Sequence, residues 1–125
     1  MNGHNYRKFR LSDKFISQYE DKEVPWGPVG YVTYKRTYAR LLSERDPDAV
    51  GTEEWYQTCR RVIEGMFDMQ KRHVTELGLE WIDSKSQKTA KDAYDRLFNL
   101  KWTPPGRGLW MMGTKFVEER TAAGL

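Results

Sequence analysis

The chain has 125 residues, enough for one domain, which at this size buries about two-thirds of its unfolded surface. Lys and Arg number 21 against 18 Asp and Glu, so the net charge of +3 is small and evenly mixed along the sequence, unlike the basic stripe of a nucleic-acid-binding protein. No apolar run approaches the roughly 18 residues that span a membrane, and the polar start MNGHNYRKFR lacks the apolar centre of a signal peptide. These features favour a cytoplasmic protein with no membrane contact and no direct nucleic-acid binding.

The supply of aliphatic side chains is small for a folded domain. Leu, Ile, Val and Phe number 24, about 19% of the chain, which is near the level typical of disorder. The low net charge and the 17 aromatic residues argue against disorder, because each aromatic ring buries a large area. Either the domain packs mainly through Trp and Tyr, or it is one piece of a larger body and some of its aromatic residues face the rest.

The first quarter of the sequence contains few long apolar patterns. Residues 1–11 are predicted to form a flexible N-terminal arm, and 12–102 a helical region. Ser12 and Asp13 are suited to cap a short helix. The segment EVPWGPVG at 23–30 is a break, because each of its two prolines disfavours helix at the residue before it.

Helical periodicity resumes in GYVTYKRTYARLL at 30–42. One side of this segment is basic, with Lys35, Arg36 and Arg40. The other side carries the aromatic and aliphatic residues Tyr31, Tyr34, Tyr38, Leu41 and Leu42. This pattern fits an aromatic face towards the core and a solvated basic face; alternatively, the basic face meets an anionic ligand or an acidic partner.

The strongest helix is predicted to begin at Thr52, as an N-cap followed by two acids in the first turn. Cys59 lies on its apolar face, so we expect a buried structural thiol rather than a nucleophile. The spacing i, i+4, i+7, i+8, i+11, i+12 places one face together: Trp55, Cys59, Val62, Ile63, Met66 and Phe67.

A second long helix is predicted after Gly78, which ends or kinks the first. The sequence SKSQ has the form of a capping box from Ser84 to Gln87, and the helix is expected to run to about Trp102. Its apolar face comprises Ala90, Ala93, Tyr94, Leu97 and Phe98.

The residues do not predict a self-contained active site. A single cysteine excludes an intramolecular disulfide and a multi-cysteine zinc site, and the histidines His4 and His73 lack ligand spacing. The acid pairs Glu53/Glu54 and Glu118/Glu119 are adjacent, so we expect solvated faces rather than acid–base pairs. We predict no catalytic and no metal-binding residue in the chain.

One stretch, KWTPPGRGLWMMGT at 101–114, is an unusual combination of two Trp and two Met around a Pro-Gly turn. Its Thr hydroxyl, its Arg and its two glycines suit close approach to an anion such as phosphate. Residues 107–112 are the part of the chain that could be extended, with LWMM as a short buried strand. A rigid connection with no ligand is equally compatible with the pattern.

Two blocks carry a resemblance to a known family: G-x-x-T-Y-K-R-T-Y-A-R from Gly30 and T-P-x-G-R-x-L-W-x-x-G-T from Thr103. Together with VIEGMFDM at 62–69, and from about residue 11 onwards, the chain resembles the N-terminal part of the monomeric, adenosylcobalamin-dependent (class II) ribonucleoside-triphosphate reductases. The resemblance implies a mainly α fold: the helical N-terminal region that precedes a ten-stranded α/β barrel. Residues 103–125 would then be the incomplete start of that barrel, ending near its first strand.

The resemblance also implies the function of a larger protein, in which a cobalamin-initiated thiyl radical reduces ribonucleoside triphosphates to deoxyribonucleotides for DNA synthesis. The cysteines, the carboxylate and the adenosylcobalamin site of that chemistry lie outside this chain, and Cys59 matches none of them. Thr103 matches the threonine that contacts substrate phosphate, and Arg107 matches a family position whose role is either anion contact or structural pairing. The expected partners are the remaining C-terminal portion of the reductase and a ribonucleoside triphosphate.

The segment alone is therefore expected to bind no cobalamin and to be inactive. The resemblance places the end of this sequence before the first reducing cysteine, for which a split gene, an intein, a truncation or a deliberately shortened chain are the explanations. The alternative hypothesis is a free-standing helical binding module derived from a reductase N-terminus.

Overall fold

The computed structural model describes residues 6–104 and 106–114, and within this part the chain is helical with no strand. A single antiparallel bridge, Leu41–Thr52, closes the loop between the second and third helices. The prediction of a mainly α fold is confirmed. The elements are α1 (Asp13–Ser17), α2 (Pro28–Thr37), a 3-10 turn (Leu42–Glu44), α3 (Trp55–Glu76), α4 (Asp83–Phe98) and α5 (Gly106–Met111).

The core forms where α3 packs on α4. The apolar faces predicted for these two helices are confirmed, because nearly every member of each face is buried and Met66 and Ala93 are partly so. Cys59 is fully buried in this interface, and burial raises the pKa of its thiol well above the usual value. A buried thiol with a raised pKa is a packing residue, as predicted.

Aromatic rings supply much of this core. Trp26 stacks on Tyr34, and both contact Trp55 at the start of α3, with centroids 5.0–5.3 Å apart. Tyr19 meets Tyr94 edge-on at 4.7 Å. Trp and Tyr therefore pack in the core of the described part, while Tyr31 and Trp110 are exposed, so both interpretations of the aromatic excess stay open. Burial raises the pKa of the three core tyrosines, so they stay neutral hydrogen-bond donors.

Residues 6–11 are packed against α3 rather than forming a loose arm, which corrects the prediction for this part of 1–11; residues 1–5 lie outside the described part. Phe9 and Leu11 are each 1% exposed. The backbone N–H of Phe9 donates to Asp68 (2.9 Å), and that of Leu11 donates to Glu64 (2.8 Å). Glu64 and Asp68 are four residues apart, a rise of about 6 Å along a helix. Phe9 and Leu11 are two residues apart, about 6.6 Å along an extended chain. The spacing of the two carboxylates therefore matches the spacing of the two N–H groups that they accept.

Two helix starts differ from their predicted positions. Thr52 takes part in the bridge to Leu41, so α3 begins later, with Glu54 as N-cap in a reciprocal capping box with Gln57. The predicted Ser84 box is wrong as well: the N-cap of α4 is Ile82, without a side-chain cap. Gln87 instead donates to the carbonyl of Arg10, so its amide holds the N-terminal segment.

The ends of the long helices follow backbone conformation. Gly78, with φ +74°, ends α3 as predicted, because its left-handed conformation favours glycine. The helix α4 ends at Phe98, short of the predicted Trp102, because Leu100 adopts φ +59°. The cap of α1 is confirmed, since the Ser12 hydroxyl accepts the N–H of Phe15.

The face predicted for α2 is only partly directed to the core. Tyr34 is buried, whereas Tyr31 is 39% and Leu41 55% exposed. On the basic side, the Lys35 ammonium contacts Glu54 at 3.1 Å and Arg40 contacts Glu44 at 2.7 Å. These two cations meet acids of the same chain.

Candidate functional site

The predicted phosphate-binding element begins between α4 and α5. Thr103 is exposed, and Arg107 lies in the first turn of α5. Pro105 and the side chain of Arg107 lie outside the described part. The assignment of Thr103 and Arg107 to one phosphate site therefore stays a prediction. Residues 107–111 are helical, and the expectation of an extended segment at 107–112 is wrong. With no strand beside them in the described part, their backbone groups bond within a helix turn.

The C-terminal end of α5 is held by one buried guanidinium. Arg61 of α3 donates to the carbonyls of Leu109 (2.7 Å), Trp110 (3.2 Å) and Met112 (2.7 Å). A short helix leaves its last carbonyls without partners, and a cation there also suits the helix dipole. Arg61 therefore fixes the position of α5, and with it the chain that follows Thr103.

Arg61 is itself held by Glu53. The two side chains are 4% and 8% exposed, and the Nε–Oε2 distance is 2.8 Å. The Thr58 hydroxyl donates to the same carboxylate at 2.9 Å, and the Tyr34 hydroxyl lies 2.5 Å from Thr58. The prediction that Glu53 belongs to a solvated acid pair is wrong, although its neighbour Glu54 is exposed. Glu118/Glu119 lie outside the described residues.

Two glycines let the chain after α5 approach α3 closely. A Cβ at Gly65 would lie 2.5 Å from the nitrogen of Gly113 and 2.6 Å from its Cα. Gly113 has φ +75°, and a Cβ there would meet the Arg61 backbone. The G of the G-T pair in the second sequence block is thus required by packing against α3, which adds a second anchor beside Arg61.

Sequence reasoning missed Glu53, Arg61, Glu64 and Asp68, which are all buried. Their signal was a charged stripe on α3: Arg61, Glu64 and Asp68 follow at i, i+3 and i+7, as the members of one helix face do. Charged residues on one helix face are normally exposed to solvent. These are buried because the N-terminal segment and the end of α5 cover them, and the sequence of α3 alone does not reveal this.

A cleft opens beside this network, with a volume of about 670 Å³. We call it the basic cleft, because its described lining includes five cationic side chains and two carboxylates. The complete described lining is Lys8, Arg10, Arg40, Leu41, Leu42, Glu44, Arg45, Glu53, Arg61 and Thr114.

The described residues do not fit a corrinoid cofactor. Clefts of about 300–1,000 Å³ suit drug-sized ligands, a corrinoid with its nucleotide arm is larger than such ligands, and seven of the ten described residues that line the basic cleft are charged. His73 is exposed on α3, and Cys59 is enclosed in the core. Over residues 6–104 and 106–114 no group of three His, Cys, Asp or Glu is arranged to hold a metal ion. In the same ranges no helix is long and apolar enough to cross a membrane.

Comparison with known proteins gives a consistent result. A family model described as the ribonucleotide reductase alpha domain matches residues 11–114. The chain is 34% identical over 116 residues to a probable adenosylcobalamin-dependent ribonucleoside-triphosphate reductase of Dictyostelium discoideum, covering 91% of the chain and 15% of that protein. It is 39% identical over 107 residues to the adenosylcobalamin-dependent ribonucleoside-triphosphate reductase of Lacticaseibacillus paracasei, covering 85% and 14%.

The fold is similar as well. A crystal structure of a B-12-dependent (class II) ribonucleotide reductase superposes with a TM-score of 0.71 at 33% identity, over 86% of this chain and 14% of that one. The chain thus spans about one seventh of the length of the proteins it matches.

Proposed function

The chain belongs to the ribonucleotide reductase alpha-domain family, and we propose that it forms the N-terminal part of an adenosylcobalamin-dependent ribonucleoside-triphosphate reductase. The observation that carries the proposal is the match over residues 11–114, which includes both sequence blocks in order. The reduction of ribonucleoside triphosphates to deoxyribonucleotides would be the activity of the whole protein. A cytoplasmic location is part of the proposal.

Within that protein, we propose that Thr103 contacts the substrate phosphates and that residues 103–125 begin the barrel. Phosphate oxygens accept several hydrogen bonds, and an exposed hydroxyl is free to supply one. Arg107, in the first turn of α5, is the second candidate for anion contact. The contribution of the described residues is positional. Arg61 bonds to the end of α5, Gly65 lets the chain after α5 approach α3, and α5 begins three residues after Thr103.

A complementation assay tests this function. The chain is mixed with a reductase portion lacking residues 1–125, and deoxynucleotide formation is measured with adenosylcobalamin and a ribonucleoside triphosphate. We expect activity to depend on added chain. Full activity of the larger portion alone, unchanged by the chain, would contradict the proposal and favour a free-standing binding module.

The Thr103 assignment has its own matched pair of variants. Thr103→Val removes the hydroxyl at nearly constant volume, and Thr103→Ser keeps it. Loss of one hydrogen bond to a charged group costs about 1.5–3 kcal/mol, so we expect KM for the triphosphate to rise about tenfold or more in the valine variant and little in the serine variant. Equal kinetics for the two variants would remove Thr103 from the site.

A further inference from the structure

We propose that a second cleft, on another side of the α3 start, binds a small organic ammonium ion. It lies between the segment that leads from α1 into α2, the first turn of α3 and the end of α4, and its volume is about 340 Å³. We call it the aromatic cleft, because six rings line it: Tyr19, Trp26, Tyr31, Trp55, Tyr56 and Phe98. Thr103 is not among its described lining residues, so this inference goes beyond the proposed function and does not depend on it.

The rings form one continuous wall. The centroid of the Trp26 ring lies 6.3 Å from that of Tyr31 and 5.0 Å from that of Trp55. The Trp55 indole N–H donates to the Phe98 carbonyl at 3.0 Å, and the Phe98 ring lies 5.0 Å from the Tyr19 ring. Because Tyr31 is 39% exposed and Trp26 is half-buried, part of this wall is open to a ligand.

The charges around the wall favour a cation over an anion. Two carboxylates, Glu20 and Glu54, and one ammonium, Lys22, line the cleft. Glu54 forms an ion pair with Lys35 at 3.1 Å, whereas Glu20 is exposed and pairs with no cation in the part of the chain that the structure describes. Burial raises the pKa of the Tyr56 hydroxyl, and the carboxylates of Glu20 and Glu54 raise it further. Both acids therefore act on the space that Tyr56 borders, and an anion there would be repelled.

The chain itself places a cation on this wall. The Lys22 ammonium lies 4.5 Å from the centroid of the Tyr19 ring, within the distance of about 6 Å at which a cation and an aromatic ring attract each other. Lys22 is exposed, so it makes this contact from the rim of the cleft. A ligand cation would gain the same attraction from rings beyond Tyr19, and Lys22 would repel it.

A nuclear magnetic resonance titration of the 125-residue chain tests the site with choline and with its neutral analogue, in which a quaternary carbon replaces the nitrogen. Sodium chloride at matched concentration is the reference for ionic strength. We expect saturable shifts of the Trp26 indole N–H signal with choline and little change at Trp110, which is exposed outside the cleft lining. Choline should bind about tenfold more tightly than the neutral analogue, because only the cation is attracted by the rings and the carboxylates.

Two charge variants with matched controls test the lining. Glu20→Gln should weaken choline binding about threefold or more, whereas Glu76→Gln, on α3 outside the cleft, should change it less than twofold. Lys22→Gln removes the competing ammonium and should tighten binding about twofold or more, unlike Lys14→Gln on α1. All four side chains are exposed, so we expect each variant to fold, which circular dichroism checks.

A third variant tests the ring itself. Tyr31→Leu keeps an apolar side chain, so it should weaken choline binding about threefold or more and leave the neutral analogue nearly unchanged. Absence of saturable shifts with choline would overturn the proposal. So would equal affinity for the neutral analogue, which reports apolar contact alone, or equal effects of the cleft variants and their controls, which report attraction to the net charge of the chain.

Discussion

Replacement of Arg61 by methionine should be among the most destabilising single changes in this fold. Arg61→Met keeps most of the side-chain volume but leaves the Glu53 carboxylate, 8% exposed, without its cation. It also removes the donor to the carbonyls of Leu109 and Met112. Breaking one partner of a buried ion pair costs about 3–5 kcal/mol, out of a total stability of about 5–15 kcal/mol for a typical domain.

Urea denaturation followed by circular dichroism gives the free energy of unfolding for this variant and two others. Glu53→Gln/Arg61→Met removes both charges, so no carboxylate is left buried without its cation, and we expect it to recover part of the loss. Arg96→Met is the control, because the Arg96–Asp92 pair is 63% and 66% exposed; exposed pairs contribute about 0–1 kcal/mol. A cost below about 1 kcal/mol for Arg61→Met, or one equal to that of Arg96→Met, would refute the buried-clamp reasoning.

Three further outcomes are expected. Gly65→Ala places a Cβ 2.5 Å from the Gly113 nitrogen and should lower the free energy of unfolding, measured by thermal unfolding, by about 1–3 kcal/mol. Gly27→Ala is the control and should change stability little, because the space around its Cβ position is open. Equal melting temperatures for the two variants would contradict the close approach of Gly65 and Gly113. Burial acts to raise the pKa of Asp68, but hydrogen bonds from Tyr6, Phe9 and Arg72 outweigh it and lower the pKa. The ionised Asp68 carboxylate therefore stabilises the fold at any pH above its ordinary pKa of about 3.9, and this stabilisation is lost as the pH falls through the lowered pKa of the folded state. The wild type should be much more stable than Asp68→Asn at pH 7, and the difference should shrink below about pH 4. A stability difference that persists at acid pH would contradict this reasoning. Cys59 should react with a thiol reagent only as fast as the chain unfolds, and rapid labelling of the folded chain would show that the thiol is accessible.

The faces of α3 and α4 could be predicted because their information is local. Residues three and four apart on a helix share a face whatever the rest of the chain does, so Val62 and Ile63, or Leu97 and Phe98, are identified as core without knowledge of their partners. The left-handed residue at Gly78 was predictable for the same reason. Each of these features depends on a few neighbouring residues.

The buried charges could not be predicted, because their burial depends on distant segments. Glu53 looks like a first-turn acid until Arg61 and the end of α5 are placed beside it. Phe9 and Leu11 look like members of a polar tail until Asp68 and Glu64 accept their backbone N–H groups. Likewise, α5 is short and contains two glycines, so its helical form depends on support from Arg61. The phosphate-contact roles of Thr103 and Arg107 stay predictions from family resemblance.

The charged stripe on α3 holds two segments that pair with no strand in the described part of the chain: the N-terminal segment and the end of α5. It does so in a chain that has few aliphatic residues for packing. Acids on the stripe accept N–H groups from the extended N-terminal segment, and its arginine donates to carbonyls at the end of α5. The carboxylates therefore accept backbone N–H groups, and the guanidinium donates to backbone carbonyls. Each such backbone group, if buried without a partner, would destabilise the fold by about 1–3 kcal/mol. One 22-residue helix thus positions both segments, and it does so through directional bonds that fix register as well as contact. Because α5 begins three residues after Thr103, a change on α3 that displaces α5 should also displace the proposed phosphate contact, although α3 itself touches no substrate in the proposed function.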